Sequence, residues 1–450
     1  MIPENKGWRA IIESIITQME SERQARYNDL LKKIHYYEGT AKQREQYLLP
    51  YLRISGGDIP FTFTNLTKKI IRRISNVYRE APTRTFDKDY PKYPDLIGNK
   101  NIIMKQAERM AHLLGVPALR VYWDYDRKTF GYKIIRYYEP LFDKDVITPV
   151  AIMYPLNTGT DKPEYWVYWD NESHYVMNAR GIPVKNQEEF GVNPEMVNPY
   201  GILPFAFLHE EEIYENFFTG GADDIVEANN KIDLALTNLN YGIRYGTFKQ
   251  PYAKGENLQN IKVEVGYNKI MMLQGDPSRI DVGVIDLNAN IESIINGIKF
   301  QIQLIERNND LSINWGIEGA PSGFSLVVQN IDLLSAWEDD IDQCREWEAD
   351  IYEIEKVIAQ VDAGISLPER MSVDFAEVAF PIDPAEERAK WEWEWQHGLS
   401  SKIDYLKQKS PDTPEDELRK RLEENAKLKS EIATLEKPRP LSFAERLGVE

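Results

Sequence analysis

The longest helical run in this sequence, Ser325 to about Val361, constrains the fold more than any other feature. Val327, Ile331, Leu334, Ile341, Trp347, Ile351, Ile354 and Ile358 recur along one side of it at helical spacing, as in an element that buries a single stripe. The other side reads as acidic: Glu338, Asp339, Asp340, Asp342, Glu346, Glu348, Asp350, Glu353 and Glu355. Such a face is either a solvated surface or one that repels something negative.

The stretch leading into this run, INWGIEGAPSGFSLVVQN from Ile313 to Asn330, is not an ordinary connector. Gly316, Gly319 and Gly323 open backbone conformations closed to other residues. Trp315, Ile317 and Phe324 are apolar groups that a plain surface turn has no reason to carry.

Composition sets further bounds. With 450 residues, 42% of them hydrophobic, the chain can bury a sizeable core and divide into roughly two to four units. The single cysteine, Cys344, excludes an internal disulfide framework, fits a reducing compartment and reads as a half-buried helix residue. The N-terminal residues have no basic stretch followed by an apolar run, so no secretory signal is expected, and no window approaches the roughly 18 apolar residues of a membrane span. The net charge of −18 has the wrong sign for a protein that grips nucleic acid by neutralising phosphates.

Along the chain, residues 7–37 carry helical spacing that closes at YYEGT, with Gly39 as C-cap. A second helix, TNLTKKIIRRISNVYREAP, is capped by Asn65 or Thr64 and stopped by Pro82; Lys68, Lys69, Arg72, Arg73 and Arg79 form its other face, either solvated or a contact surface for acidic neighbours. From 115 to 180, runs rich in Val, Ile, Tyr and Trp are separated by the turn sequences DYDRKTFG and DNES, which predicts an antiparallel sheet. Alternation on that sheet accounts for Tyr122, Trp123, Trp166, Tyr168 and Trp169. Two further helices, over 222–248 and 289–310, bracket short strands at 249–288. A short strand, MSVDFAEVAF, leads into two polar helices, AEERAKWEWEWQHG and PDTPEDELRKRLEENAKLKSEIATLEK.

Chemistry-bearing motifs are missing. The five histidines are scattered, with no HExxH, no Cys/His cluster, no phosphate-binding glycine loop and no GxSxG elbow. Neighbouring carboxylates such as those of HEEEIYE arise by chance in a chain with 72 acidic residues.

The order of these features resembles the portal proteins of tailed bacteriophages over nearly the whole chain. The resemblance is carried by HYYEGT, FTNLTKKIIRRISNVYREAPTRTF, GVPALRVYWDYDRKTFGYKIIRYYEP, NPYGILPFAFLHEEE, DDIVEANNKIDLALTNLNYGI and the glycine-rich loop with SGFSL opening a long helix. It implies an α+β portal fold: a wing at 1–218 of N-terminal helices and antiparallel sheet, a stem helix at 219–248, a clip at 249–288 and a second stem helix at 289–311. A tunnel loop at 312–324, a tunnel helix with a returning wing strand at 325–383, and a helical crown and tail at 384–450 complete it. The long C-terminal barrel of some portals is lacking, which leaves the phage morphology open.

The resemblance also implies a homo-oligomeric ring of about twelve copies at one capsid vertex. Double-stranded DNA would pass through it non-specifically during packaging and ejection. The large terminase subunit, a head–tail adaptor, and the major capsid and scaffold proteins would be its partners. The expected location is the virion after synthesis in the host cytoplasm, with no membrane partner, no cofactor and no enzymatic activity. Trp315, Gly316, Ile317, Glu318, Gly319, Ser322, Gly323 and Phe324 would then face DNA as the tunnel loop, and Glu338, Asp339, Asp342 and Glu346 would contribute an acidic wall. Lys254, Lys262, Lys269 and Arg279 would present a partner surface on the clip, or serve only as solubilising charge. The rival readings are an acidic metal-dependent hydrolase or nuclease with HEEEIYE as its metal site, and another virion structural protein.

Overall fold

The computed structural model of the chain describes residues 21–52, 61–142, 147–156, 164–178, 180–211, 216–246, 250–254, 281–285, 291–309, 331–376, 384–409 and 415–435. It is an α+β protein with antiparallel sheets, dividing into a first unit of 1–314 with 330–378 and a second of 315–329 with 379–450.

Among the described residues the first unit begins with α1 (Ser21–Glu38) and α2 (Ala41–Leu48), the part of the expected helix before Ser21 lying outside them. Gly39, at φ +75°, closes α1 as its spacing predicts, its amide donating to the His35 carbonyl. Next, α3 (Leu66–Ile74) ends well before Pro82, the stop its sequence suggests. Two contacts end it early: the Ser75 hydroxyl folds back onto the Ile71 carbonyl, and the buried Glu108 carboxylate accepts the Val77 and Tyr78 amides, drawing the chain out of helical geometry.

After β1 (Thr83–Phe86), the short α4 (Tyr93–Leu96) and α5 (Lys100–Leu114) come seven strands: β2 (Ala118–Asp124), β3 (Thr129–Ile135), β4 (Glu139–Leu141), β5 (Ala151–Pro155), β6 (Tyr165–Asp170), β7 (His174–Asn178) and β8 (Phe205–Phe207). They form two sheets rather than one, ordered β3-β2-β8 and β4-β5-β6-β7. The turns are built as their residues predict: Asp124 caps the amides of Asp126 and Arg127, and Asp170 those of Glu172 and Ser173.

Strand alternation then makes layers. On one side of β4-β5-β6-β7, Met153, Trp166, Tyr168 and Met177 pack against Tyr27, Leu30 and Ile34 of α1. On its other side, Ile152, Tyr154, Val167 and Trp169 meet Ala118, Ile135 and Phe205 of the three-stranded sheet. The far face of that sheet, with Leu119, Val121, Phe130 and Tyr132, receives α5 and a later long helix.

Two more helices, α6 (Asp223–Gly246) and α7 (Ile291–Asn308), pack with α3 and α5 through Ile70, Ile71, Met110, Leu113, Ile225, Ile232 and Ile305. Between them in sequence, β9 (Gln250–Lys254) and β10 (Asp281–Ile285) pair antiparallel. Of the short strands expected at 249–288, any within 255–280 lie outside the described residues. The long helix, α8 (Ile331–Ile358), spans about 42 Å, and β11 (Met371–Asp374) returns to pair with β1.

Among its described residues the second unit has three helices over 384–435, where two were expected: α9 (Pro384–His397), α10 (Lys402–Lys409) and α11 (Glu415–Leu435). Gly398, at φ +69°, ends α9, and Ser401 and Asp404 cap each other to start α10, a capping box present in the sequence as SKID.

Candidate functional site: an acidic helix face and its buried anchor

The seam by which α8 docks is spaced alternately by four and three residues: Trp337, Ile341, Cys344, Glu348, Ile351, Glu355 and Ile358 are all buried. The acids proposed for a repelling wall lie on the solvent side. Glu338, Asp339, Asp342 and Glu346 are exposed, and Asp350 and Glu353 extend the stripe over about 22 Å. Two cations temper it, with Arg345 on Asp342 at 2.7 Å and Lys356 on Glu353 at 2.6 Å. Partial desolvation, followed by the neighbouring Glu346 and Glu353 charges, raises the Asp350 carboxyl above its ordinary value. Like charges at this spacing oppose helix formation, so tertiary contacts must hold the stripe in place.

Two residues grouped with that acidic side belong elsewhere: Glu348 and Glu355 are fully buried. Their heptad-like spacing places them among the seam's apolar positions, where a carboxylate survives only with partners. Arg84 on β1 grips Glu348 with two bonds, Nη2 to Oε1 at 2.6 Å and Nε to Oε2 at 3.0 Å. Lys100, at the start of α5 and also fully buried, reaches Glu348 at 3.0 Å and Glu355 at 2.9 Å. Tyr132 and Tyr93 donate to Glu355 at 2.6 and 2.7 Å, and Tyr78 to Glu348 at 3.3 Å. Burial alone would raise the Glu348 carboxyl, but Lys100 and Arg84 overcome it and hold it at about 2. Two cations and two carboxylates thus cancel inside, and the charge α8 shows outward is that of its stripe.

A second titratable group lies nearby. His112 Nδ1 is 3.0 Å from Glu210 Oε1, and its Nε2 is 3.9 Å from Asp340, which is half-buried rather than part of the open face. Burial opposes the charged imidazole, but Glu210 and Asp340 outweigh it and raise His112 overall. Glu108, desolvated among Val77, Tyr78 and α5, rises to about 7. Cys344, expected half-buried, is 2% exposed, and burial pushes its thiol well up.

In HEEEIYE, His209 is buried, held down to about 4 by desolvation, while Glu210 is occupied by His112 and the Gly221 amide. Residues 212–215 lie outside the described residues, and among those described no three His, Cys, Asp or Glu side chains are grouped to hold a metal. The tunnel-loop candidates Trp315, Gly316, Ile317, Glu318, Gly319, Ser322, Gly323 and Phe324 lie outside the described residues, as do Lys262, Lys269 and Arg279. Lys254 ends β9, opposite Asp281 in the ribbon. Sequence reasoning missed Arg84 and Lys100; the signal that pointed to them was the pair of carboxylates seven residues apart in an apolar seam. Compared with known proteins, the sequence matches no family model and no curated protein.

Proposed function

We propose that this chain is the subunit of a phage portal: a ring at one capsid vertex that conducts double-stranded DNA and docks the packaging terminase and the head–tail adaptor. The observation that carries this reading is the one-sided acidity of α8, whose exposed Glu338, Asp339, Asp342 and Glu346 stand opposite a seam bolted to β1 and α5 by buried ion pairs and to β3 by the Tyr132 hydroxyl. A wall that meets a polyanion in transit needs negative charge that does not yield, because a cationic or deformable wall would give phosphates places to settle. The order of elements agrees: α6 and α7 bracket the β9–β10 ribbon as stem helices bracket a clip, and β11 returns to β1 as a wing strand would.

Mass photometry of the purified chain tests the reading. Twelve copies of 52.3 kDa give about 630 kDa, so a species near that mass is expected, with rings in negative stain. A monodisperse particle of one to a few chains at micromolar concentration counts against a portal.

A further inference from the structure

The apolar layer between the two sheets gives way to cations at Arg120. Arg120 on β2 lies directly opposite Lys133 on β3, so both side chains leave the same face with Cβ atoms about 5 Å apart, an arrangement that is destabilising for like charges. From the facing sheet comes Trp169, with the Arg120 guanidinium 4.9 Å from its ring and the His174 imidazole stacked on it at 3.5 Å. Burial and then Arg120 lower His174 to about 3, leaving it neutral, and partial desolvation of the otherwise exposed Lys133, followed by Arg120, lowers that amine.

Two donors at this place, Arg120 Nε and Trp169 Nε1, are buried and have no partner. Among the described residues, neither Arg120 nor Lys133 forms an ion pair with a carboxylate, in a chain with 72 acidic residues. Asp362 connects to this region through Tyr200, whose hydroxyl donates to it at 2.8 Å. An orphaned buried donor loses its hydrogen bonds to water and gains none, so two of them beside a repelling pair of cations call for an occupant. Tyr122, 37% exposed, lies across Gly131, where a Cβ would collide with its ring, and forms the outer lip.

We propose that Arg120, Lys133 and Trp169 form an oxyanion-binding site between the two sheets. Arg, Lys and Trp side chains only donate, so the ligand must accept; two cations without counter-charge make it an anion, and a tetrahedral phosphate or a planar carboxylate offers several acceptors at once. This chemistry does not rest on the portal reading: a monomer with the site would leave it standing. The oxyanion is either free phosphate or a carboxylate of a second copy of the chain.

Calorimetric titration of the full chain with inorganic phosphate, at fixed ionic strength against chloride, separates these sources. Lys133 is exposed, so Lys133→Gln should keep the fold, and Arg120→Gln and Trp169→Phe test the buried donors. Saturable phosphate binding, weakened about tenfold or more by Lys133→Gln or Arg120→Gln and several-fold by Trp169→Phe, is expected if the anion is free. If wild type takes no phosphate but Lys133→Gln lowers the assembled mass, the oxyanion is a carboxylate of a second copy. Phosphate binding equal in wild type and all variants, or none together with unchanged assembly, overturns the site.

Discussion

Replacing Glu348 by Gln is the sharpest perturbation of the α8 anchor. The amide keeps the side chain's shape but removes the charge, leaving Arg84 and Lys100 buried against Glu355 alone. Removing one partner of a buried ion pair typically costs about 3–5 kcal/mol. The depressed Glu348 carboxyl points to a similar figure. It falls from 4.5 to about 2 on folding, which at 1.36 kcal/mol per unit is worth about 3 kcal/mol. Because the folded value is the lower one, that stability is fully present above pH 4.5 and lost as pH falls through 2. Urea unfolding followed by tryptophan fluorescence should place Glu348→Gln about 3–5 kcal/mol below wild type at pH 7, with the gap closing toward pH 2. In the double variant Arg84→Met with Glu348→Gln, part of the loss should return, because both charges leave together, and the coupling should exceed about 1 kcal/mol. A Glu348→Gln protein within about 1 kcal/mol of wild type at pH 7 would refute the anchor as described.

Other outcomes follow from the same structure. Glu108 is raised to about 7, mainly by burial, so its contribution is complete below pH 4.5 and is lost as pH rises through 7; unfolding free energies from urea titrations between pH 5 and 8 should decline less in Glu108→Gln than in wild type, by up to about 3 kcal/mol. Cys344, buried and with its thiol held protonated, should resist a thiol reagent at pH 8 in the native protein and react once urea unfolds it. Gly115 sits at φ +86° where a Cβ would meet the Thr219 carbonyl oxygen, so Gly115→Ala should cost about 3 kcal/mol in the same unfolding assay. If α8 faces passing DNA, Asp339→Lys with Asp342→Lys should slow packaging without lowering stability by more than about 1 kcal/mol, both positions being exposed.

Much of this was legible in the sequence because short-range chemistry carried it. Gly39 ends α1, Asp124 and Asp170 fold their turns, and the helical spacing of α6 and α7 includes the Ile225, Ile232 and Ile305 that pack, although Ile243, Ile291 and Ile295 stay exposed. Reading failed where a distant partner decides. The amides of Val77 and Tyr78 look like helix interior until Glu108, about thirty residues on, claims them. Glu348 and Glu355 look like members of an acidic face because composition there is acidic throughout, yet their spacing from Ile341, Cys344 and Ile351 already set them on the buried stripe. Their counter-charges, Lys100 and Arg84, lie some 250 residues earlier, beyond the reach of periodicity. The three-helix form of 384–435 was within reach, since Gly398 and the SKID capping box were both visible.

The most direct test of the central claim is a three-dimensional reconstruction of the purified assembly by electron cryomicroscopy, viewed along any rotation axis. The account predicts a ring of about a dozen subunits around an open channel, with Glu338, Asp339, Asp342 and Glu346 of every copy turned toward it. An assembly with no central channel, or one whose channel is lined chiefly by lysine and arginine, would contradict it.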